Sequence, residues 1–584
     1  MTLFKKLAPL MCALLVVACG DDNARESEYT PPSDYTFSSR TNTDFNSSVS
    51  NETAITQEFL KRELKAFINS SILQQLSAAN VDNRSNTIYS LGTTVPTEGI
   101  ITSLSTYNIY ETGITSEPTS ITNAFSNGLP FMQSNFSELP KGVNLESSIL
   151  SIERGLPFKK LEEIEVDGEM EEVEVAEFIG WELLPDAENG DEMTEELISL
   201  WLSKIALNAA DGGFPNVAID AHGMHLDLLI NELLQGAIFY SSITQDHLVS
   251  NKGLVSDNID PVNLEAILEQ EEIVEQTEKQ LADNKVFLET QQATLDEVLS
   301  DWNECDSLAD TTKEIDDYLF EGYHCVTEAT AYYEELEDVE EFITRIENIE
   351  SKLEQKKEAV EKKLPYTKLA NTWDEAFGYF GAARNYGFYA DEDIIFQQGV
   401  DENTDGEIDI FTELNFGFAL LAAKIDANSV IGDVNFSKEI WDAFLIGRQI
   451  IQENYGRVAV ENTGYHKDLY TQAEIIVSSL EKLVAAGIIS QINLTVQNIN
   501  DGETEVYSES YYKNWSILKG MALTLQFNDT VTIDRDSFTQ LHNLIGESPI
   551  PDYNSFASRK TDLLNSRDIL QQAYNFAPAN VEAW

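Results

Sequence analysis

HLDLLINELLQGAIFY, residues 225–240, is the stretch whose reading decides the fold. Its apolar residues run nearly unbroken, too far for the four to eight residues of a buried strand, so they read as helix. A helix apolar on almost every side is a buried one, and other helices must surround it. Upstream, ITQEFLKRELKAFINSSILQQLSA (55–78) places Phe59, Leu60, Leu64, Phe67, Ile68 and Ile72 on one helical face. TEELISLWLSKIALNAA (194–210) opens on an acid-rich turn and carries Ile198, Leu200, Trp201, Ile205 and Leu207. Between them, residues 85–135 are Ser/Thr-rich and irregular. Glu163-Ile164-Glu165-Val166-Asp167-Gly168 and Val173-Glu174-Val175 alternate about an Asp-Gly, which predicts a small β-hairpin.

Downstream, residues 261–364 are of a different kind. Ile267, Val274, Leu281, Leu288, Leu295 and Trp302 recur every seven residues, as do Cys325, Tyr332, Val339, Ile346, Leu353 and Val360. Ala329, Leu336 and Ile343 fill the companion position of the second run; Gln270, Thr277, Asn284 and Gln291 fill that of the first. Two heptad helices joined by a short link predict an antiparallel coiled-coil hairpin, with arms of about 40 residues and roughly 60 Å. The polar companions make its seam narrow. After Pro365 the spacing predicts helices over 373–386, 415–428, 439–452, 470–486, 515–527 and 537–545, the last two closing the chain. WDEAFGYFGAA (373–383) and WSILKGMALTL (515–525) form a faint internal repeat. Glycines 378 and 520 weaken their helices unless they permit close helix contact.

The first twenty residues, MTLFKKLAPLMCALLVVACG, say where the chain goes. Lys5 and Lys6 precede an apolar run from Leu7 to Val17, too short to span a bilayer, and Ala18 precedes Cys19. This is a lipoprotein-type secretory signal: cleavage before Cys19 leaves that cysteine for acylation. Gly20 rather than Asp after the cysteine resembles the outer-membrane class of Gram-negative lipoproteins. Residues 20–53 are polar and Pro/Ser/Asn-rich, and read as a flexible tether.

The formal net charge is −64, and it becomes −66 when the acid-free signal leaves with its two lysines. Phosphate would be repelled, which excludes nucleic acid as a partner. Two readings of the charge stay open: adaptation to salty surroundings, and cation collection. Cys12 leaves with the signal and Cys19 takes lipid, so Cys305 and Cys325 remain. In an exported protein such a pair reads as a disulfide clamping the hairpin tip, with a metal pair as the alternative.

The sharpest chemical motif is DENTDGEID, residues 401–409. Asp401, Asn403, Asp405 and Asp409 at positions one, three, five and nine, with Gly406 at six and Ile408 at eight, match the opening of an EF-hand calcium loop. Position twelve is Thr412, and Glu413 follows one place late. The candidate metal residues are therefore Asp401, Asn403, Asp405, Glu407, Asp409 and Glu413, and the alternative is a plain acidic turn. His222 and His225 lie near Asp220 and Asp227 and read as solvated helix-start residues, with a metal site as the alternative. HExxH, GxSxG, P-loop and GxGxxG patterns are absent from the sequence, and its carboxylates are too many to single out a glycosidase pair.

Taken in order, NKGLVSDN (251–258), TWDEAFGYFGAARNY (372–386), TELNFG (412–417) and WSILKGMALTLQFN (515–528) resemble the bacterial lipoprotein family called domain of unknown function 4856, and more distantly the imelysin-like proteins. The resemblance covers most of 54–260 and 366–550, with the heptad hairpin inserted between. It implies an all-helical, iron-regulated, surface-attached lipoprotein with no assigned activity. The imelysin GxHxxE motif opens at Gly223-Met224-His225, but Leu228 replaces its Glu. If the two repeat helices pack, Glu375 and Lys519 are a natural buried polar pair, whether structural or functional.

The expectation is a mainly α chain: two imelysin-like helical bundles, a small β insertion and an inserted antiparallel coiled-coil hairpin. The segments are a signal peptide (1–18), a flexible tether (19–53), a first helical region with the hairpin of strands (54–260), the coiled coil (261–364) and a second helical region with the acidic loop (365–584). The expected function is an exported, lipid-anchored, non-enzymatic binding protein linked to iron or metal acquisition, with a structural calcium loop and an unknown protein partner. A structural or adhesive protein working through the arm is the alternative, and a hydrolase with an unrecognised site a further one.

Overall fold

The computed structural model describes residues 31–37, 52–68, 131–132, 139–140, 143–149, 156–166, 169–181, 197–198, 201, 223–248, 253–255, 258, 264–305, scattered residues of 324–353, and 367–584 apart from 398, 433, 458–463, 500–508 and 550–555. It is mainly helical. The chain divides into one compact unit of residues 1–38, 46–258 and 369–584 and a second of 39–45 and 259–368.

In the first unit the elements are α1 (Glu52–Phe67), β1 (Phe131–Met132), α2 (Glu146–Ile149), β2 (Lys159–Val166), β3 (Glu169–Ala176) and α3 (Leu226–Leu234). In the second unit α4 runs Leu264–Cys305. The first unit then continues through α5 (Lys368–Phe380), α6 (Asp391–Gln397), β4 (Glu407–Ile408), α7 (Gly417–Asn428), α8 (Phe436–Glu453) and α9 (Tyr465–Gln497). It ends with α10 (Glu509–Thr524), α11 (Arg535–Ile545), α12 (Phe556–Tyr574) and α13 (Pro578–Ala583).

The β-hairpin forms as its alternation predicts: β2 and β3 pair antiparallel from Lys159↔Ala176 to Val166↔Glu169, and Asp167 and Gly168 lie outside the described residues. The short β1 and β4 pair in parallel, Met132 opposite Ile408.

The expected two bundles are one. α3 packs on α1 and on α10, so helices from both sides of the coiled coil share a core. At this contact Gly520 has the role expected of it: a Cβ there would lie 2.6 Å from Glu232 Cβ and 2.9 Å from the Leu229 carbonyl oxygen. At the centre lies α9, against α7, α8, α10, α12 and α13. It is long and apolar enough by composition to cross a membrane, and 78% of its most apolar window is buried in the unit. It outruns the expected 470–486 because Ile488, Ile489 and Ile492 continue its buried face and the polar side chains among them find partners: Asn493 Nδ2 donates to the Val581 and Trp584 carbonyls, and Thr495 Oγ1 to that of Gln491.

Other expectations need correction. The helix over 373–386 stops at Phe380, because Gly381 takes φ +85° and a Cβ there would lie 2.4 Å from the Phe416 carbonyl oxygen. The chain does not close at residue 545. Arg559 of α12 is buried and donates to the Leu544 and Ile545 carbonyls, capping the C-terminal end of α11. Asn580 of α13 accepts from the Val430 and Ile431 amides. The buried 225–240 helix is as expected, but it widens into π-helical turns over Gln235–Tyr240 and Ser242–His247. Thr244 and Gln245 there both donate to the Phe527 carbonyl. Residues 69–78, most of 194–210 and most of 85–135 lie outside the described residues.

The tether is not free along its length. Tyr35 is buried, stacks on Phe377 at 3.8 Å and donates its hydroxyl to Asp374 Oδ1 at 2.6 Å. Arg448 Nε reaches the same oxygen at 2.9 Å while its guanidinium lies over Phe37. Two aromatic side chains outweigh the polar composition around them, because each buries a large apolar surface.

In the second unit, the Cys305–Cys325 disulfide is present, with Cα atoms 6.0 Å apart. Beside it Trp302, Cys325, Ala329 and Tyr332 form a small core with Leu295, Val298, Leu299 and Leu336 around it. Lys285 of α4 pairs with Glu350, which together with Trp302 on Tyr332 fixes the two runs antiparallel. The companion position drifts: Ile343 is 37% exposed while Ile349 is buried. Straight helices at 3.6 residues per turn slip against a seven-residue repeat.

Candidate functional sites

The acidic loop folds on itself. Asp401 accepts from the Asp405 amide through Oδ1 at 3.1 Å and from the Gly406 amide through Oδ2 at 2.7 Å, and Asn403 Oδ1 accepts from the Asp405 amide at 2.9 Å. Thr404 at φ 59° and Gly406 at φ 94° let the chain double back. Short polar side chains bonding nearby amides are what Asn and Asp do in turns. Glu413 is 3% exposed and turns inward: Oε1 accepts from the Glu402 and Asn403 amides, Oε2 from that of Asp409. So Glu413 anchors the loop base. Among the described residues, the one group of His, Cys and carboxylate ligand atoms within 4.8 Å of one another is Cys305, His324 and Cys325, and both sulfurs are in the disulfide.

Glu375 and Lys519 are not partners. Glu375 is part-exposed and accepts from Asn371 and, at 3.1 Å, from His247. Burial disfavours the charged imidazole of His247, but this carboxylate outweighs it and raises the pKa. Lys519 is fully buried, 3.3 Å from His542 Nδ1 and over the Trp181 ring. Burial first, and Arg559 beside it, push Lys519 down to about 7 against the pull of Glu547. Burial and Lys519 depress His542 as well. The two tryptophans of the faint repeat have matched roles: Trp373 Nε1 donates to the Phe444 carbonyl at 3.0 Å and Trp515 Nε1 to that of Ile545 at 3.1 Å. His225 is buried, not solvated, its backbone N–H donates to Ser516 Oγ, and burial first and then Lys513 bring it to about 4. His222 and Cys19 lie outside the described residues.

Sequence reading missed a further candidate site. Where α3 passes into its π-helical turns, α1, α3, α7, α9 and α10 line a half-open cavity of about 350 Å³. Glu58, Lys61, Glu232 and Gln235 form its polar wall; Phe418, Leu421, Ile517 and Met521 its apolar one. Glu58 is bonded to Lys61 at 2.8 Å and Arg62 at 2.6 Å. Burial opposes its ionisation, yet the two cations hold its carboxyl below the ordinary range. Burial raises Glu232, against the pull of Lys61, Asn231 and Lys65. Lys61 also donates to Gln235 Oε1 and lies over the Phe239 ring. Lysine has no acceptor, so it must face the oxygen of the amide. That leaves Gln235 Nε2, a buried donor without a hydrogen-bond partner, at the cavity wall beside Gly417. A signal existed in the sequence: Lys61 stands three before Leu64 and seven before Ile68, on the buried face of α1.

Comparison with protein-family models, with curated proteins and with solved structures found no match for this chain.

Proposed function

We propose that this chain is an exported binding protein, lipid-anchored at Cys19 to the outer membrane and without catalytic activity. Its ligand is a small molecule that offers a hydrogen-bond acceptor to Gln235 Nε2 and an apolar part to Phe418, Leu421 and Met521. The observation that carries the reading is this cavity: an amphipathic wall with a fixed, unanswered buried donor, which costs free energy until an acceptor meets it. Export is supported by the Cys305–Cys325 bridge, a bond that persists in oxidising compartments. A structural calcium ion at Asp401, Asn403, Asp405, Glu407 and Asp409 belongs to the proposal and is supported by the motif and the turn at Gly406. Association with iron rests on the family resemblance alone.

Elemental analysis of the purified chain, with thermal melting with and without chelator, tests the metal part. One calcium per chain and a lower melting temperature on chelation are expected, since a ligand of the native state stabilises by mass action. No metal and no chelator effect would reduce the loop to an acidic turn. For the cavity, a thermal-shift screen of small carboxylates and amides is expected to give hits that Gln235→Leu abolishes; hits equally tight on the variant would sink it.

A second reading, adhesion through the coiled coil, is favoured by Val286 and Phe287, exposed at 64% and 46% on α4. Loss of cell-surface adhesion on deleting 261–364, with metal content unchanged, would select it.

A further inference from the structure

Three large apolar side chains stand exposed within nine residues of one another. Phe388 is 59% exposed, Ile395 38% and Phe396 86%, while Ile394 between them is buried. α6 is therefore held by one face and turns Ile395 and Phe396 outward. Single exposed apolar residues are ordinary, but clustered ones mark a contact surface.

The N-terminal segment docks at the same place. The Tyr35 amide donates to the Arg384 carbonyl at 2.9 Å, four residues before Phe388. Tyr35 and Tyr386 both lie against Trp441, at 6.4 and 5.7 Å between ring centroids, and the Gly387 backbone rests on that same indole. Only eleven residues lie between Cys19 and Pro31. Fully extended they reach at most about 40 Å.

We propose that Phe388, Ile395 and Phe396 seat in the outer layer of the bilayer that holds the acyl chains of Cys19, so that the helical unit lies against the membrane by this face. The inference rests on the lipid-anchored reading above. A short tether turns membrane contact into an intramolecular event at high effective concentration, so a patch too weak to bind a bilayer alone stays engaged. Aromatic side chains suit the boundary between headgroups and acyl chains. Glu392 and Asp393 are exposed one turn away on the same helix, so the fitting surface is zwitterionic rather than anionic lipid.

The acylated chain, reconstituted in phosphatidylcholine vesicles, tests this. Single cysteines at F388C, F396C and, as a control, the partly exposed K513C carry a nitrobenzoxadiazole label. The native cysteines are acylated or disulfide-bonded and do not compete. Blue-shifted emission and about twofold or greater quenching by doxyl-labelled lipid are expected at 388 and 396, with neither at 513. Quenching absent at 388 and 396, or equal at all three positions, overturns the proposal. A blue shift that lipid does not quench and that grows with protein density means a second copy covers the patch, and also overturns it. The intact mass of the Cys19 peptide separates the two readings. An unacylated Cys19 removes the anchor and this inference together, whereas acyl chains with no quenching remove this inference alone.

Discussion

At the scale of single residues, charge buried without full compensation sets the clearest expectations. Lys519 is buried 3.3 Å from His542 Nδ1, and its folded pKa of about 7 lies below its unfolded value of 10.5. Between those values the unfolded chain holds more protons, so stability rises with pH across that window. Lys519→Met removes the group while keeping an unbranched apolar shape. It should raise the melting temperature at pH 7 and below, by the equivalent of about 1–4 kcal/mol as for other buried charges replaced by apolar residues. The gap should close toward pH 10. A gap that stays constant with pH would show that Lys519 is not the titrating group. Asp374 is the opposite case, its Oδ1 held by both Tyr35 and Arg448. Tyr35→Phe should lower stability in chemical denaturation by about 1–2 kcal/mol, and Arg448→Met by about 3–5 kcal/mol, because it strands a buried carboxylate. Equal, small losses for both would mean that the N-terminal segment is not held by this triad.

At the scale of elements, close approach and cross-linking decide. Gly520→Val should destabilise by about 1–3 kcal/mol through overpacking where α10 meets α3, and the loss should appear in both denaturant midpoint and heat. A neutral result would mean the two helices stand further apart than the 2.6 Å contact implies. In the coiled coil, Trp302, Cys325, Ala329 and Tyr332 form a buried cluster beside the disulfide. Reducing the bridge, or Cys305→Ser, should weaken this unit by about 3 kcal/mol in the chain-entropy account and raise amide exchange near Trp302 first. Exchange that rises instead across α9 would contradict the division into two units.

At the scale of the whole molecule, a formal charge of −64 makes self-repulsion a general term. Melting temperature should climb as NaCl rises from about 10 mM to about 1 M, since salt screens repulsion between exposed carboxylates within a Debye length. A flat response would mean that the acidic side chains are already neutralised by bound cations, which elemental analysis would show.

Much of this was legible in the sequence, for stated physical reasons. Helical periodicity marks a buried face whatever the face meets, so most helices, the hairpin register and the antiparallel arms could be read from spacing. The disulfide could be read from compartment and count. What the tertiary structure alone decided were the choices among partners. Periodicity says that α3 and α10 are buried, not that they bury each other across the coiled coil. Glu375 and Lys519 look like partners in the sequence, yet nearer neighbours, His247 and His542, claim them. A polar composition cannot reveal that Tyr35 and Phe37 find an aromatic pocket ready for them. The cavity at Glu58, Lys61 and Gln235 joins residues more than 170 positions apart. Spacing along the chain carries no information about such distances; only the packing of five helices does.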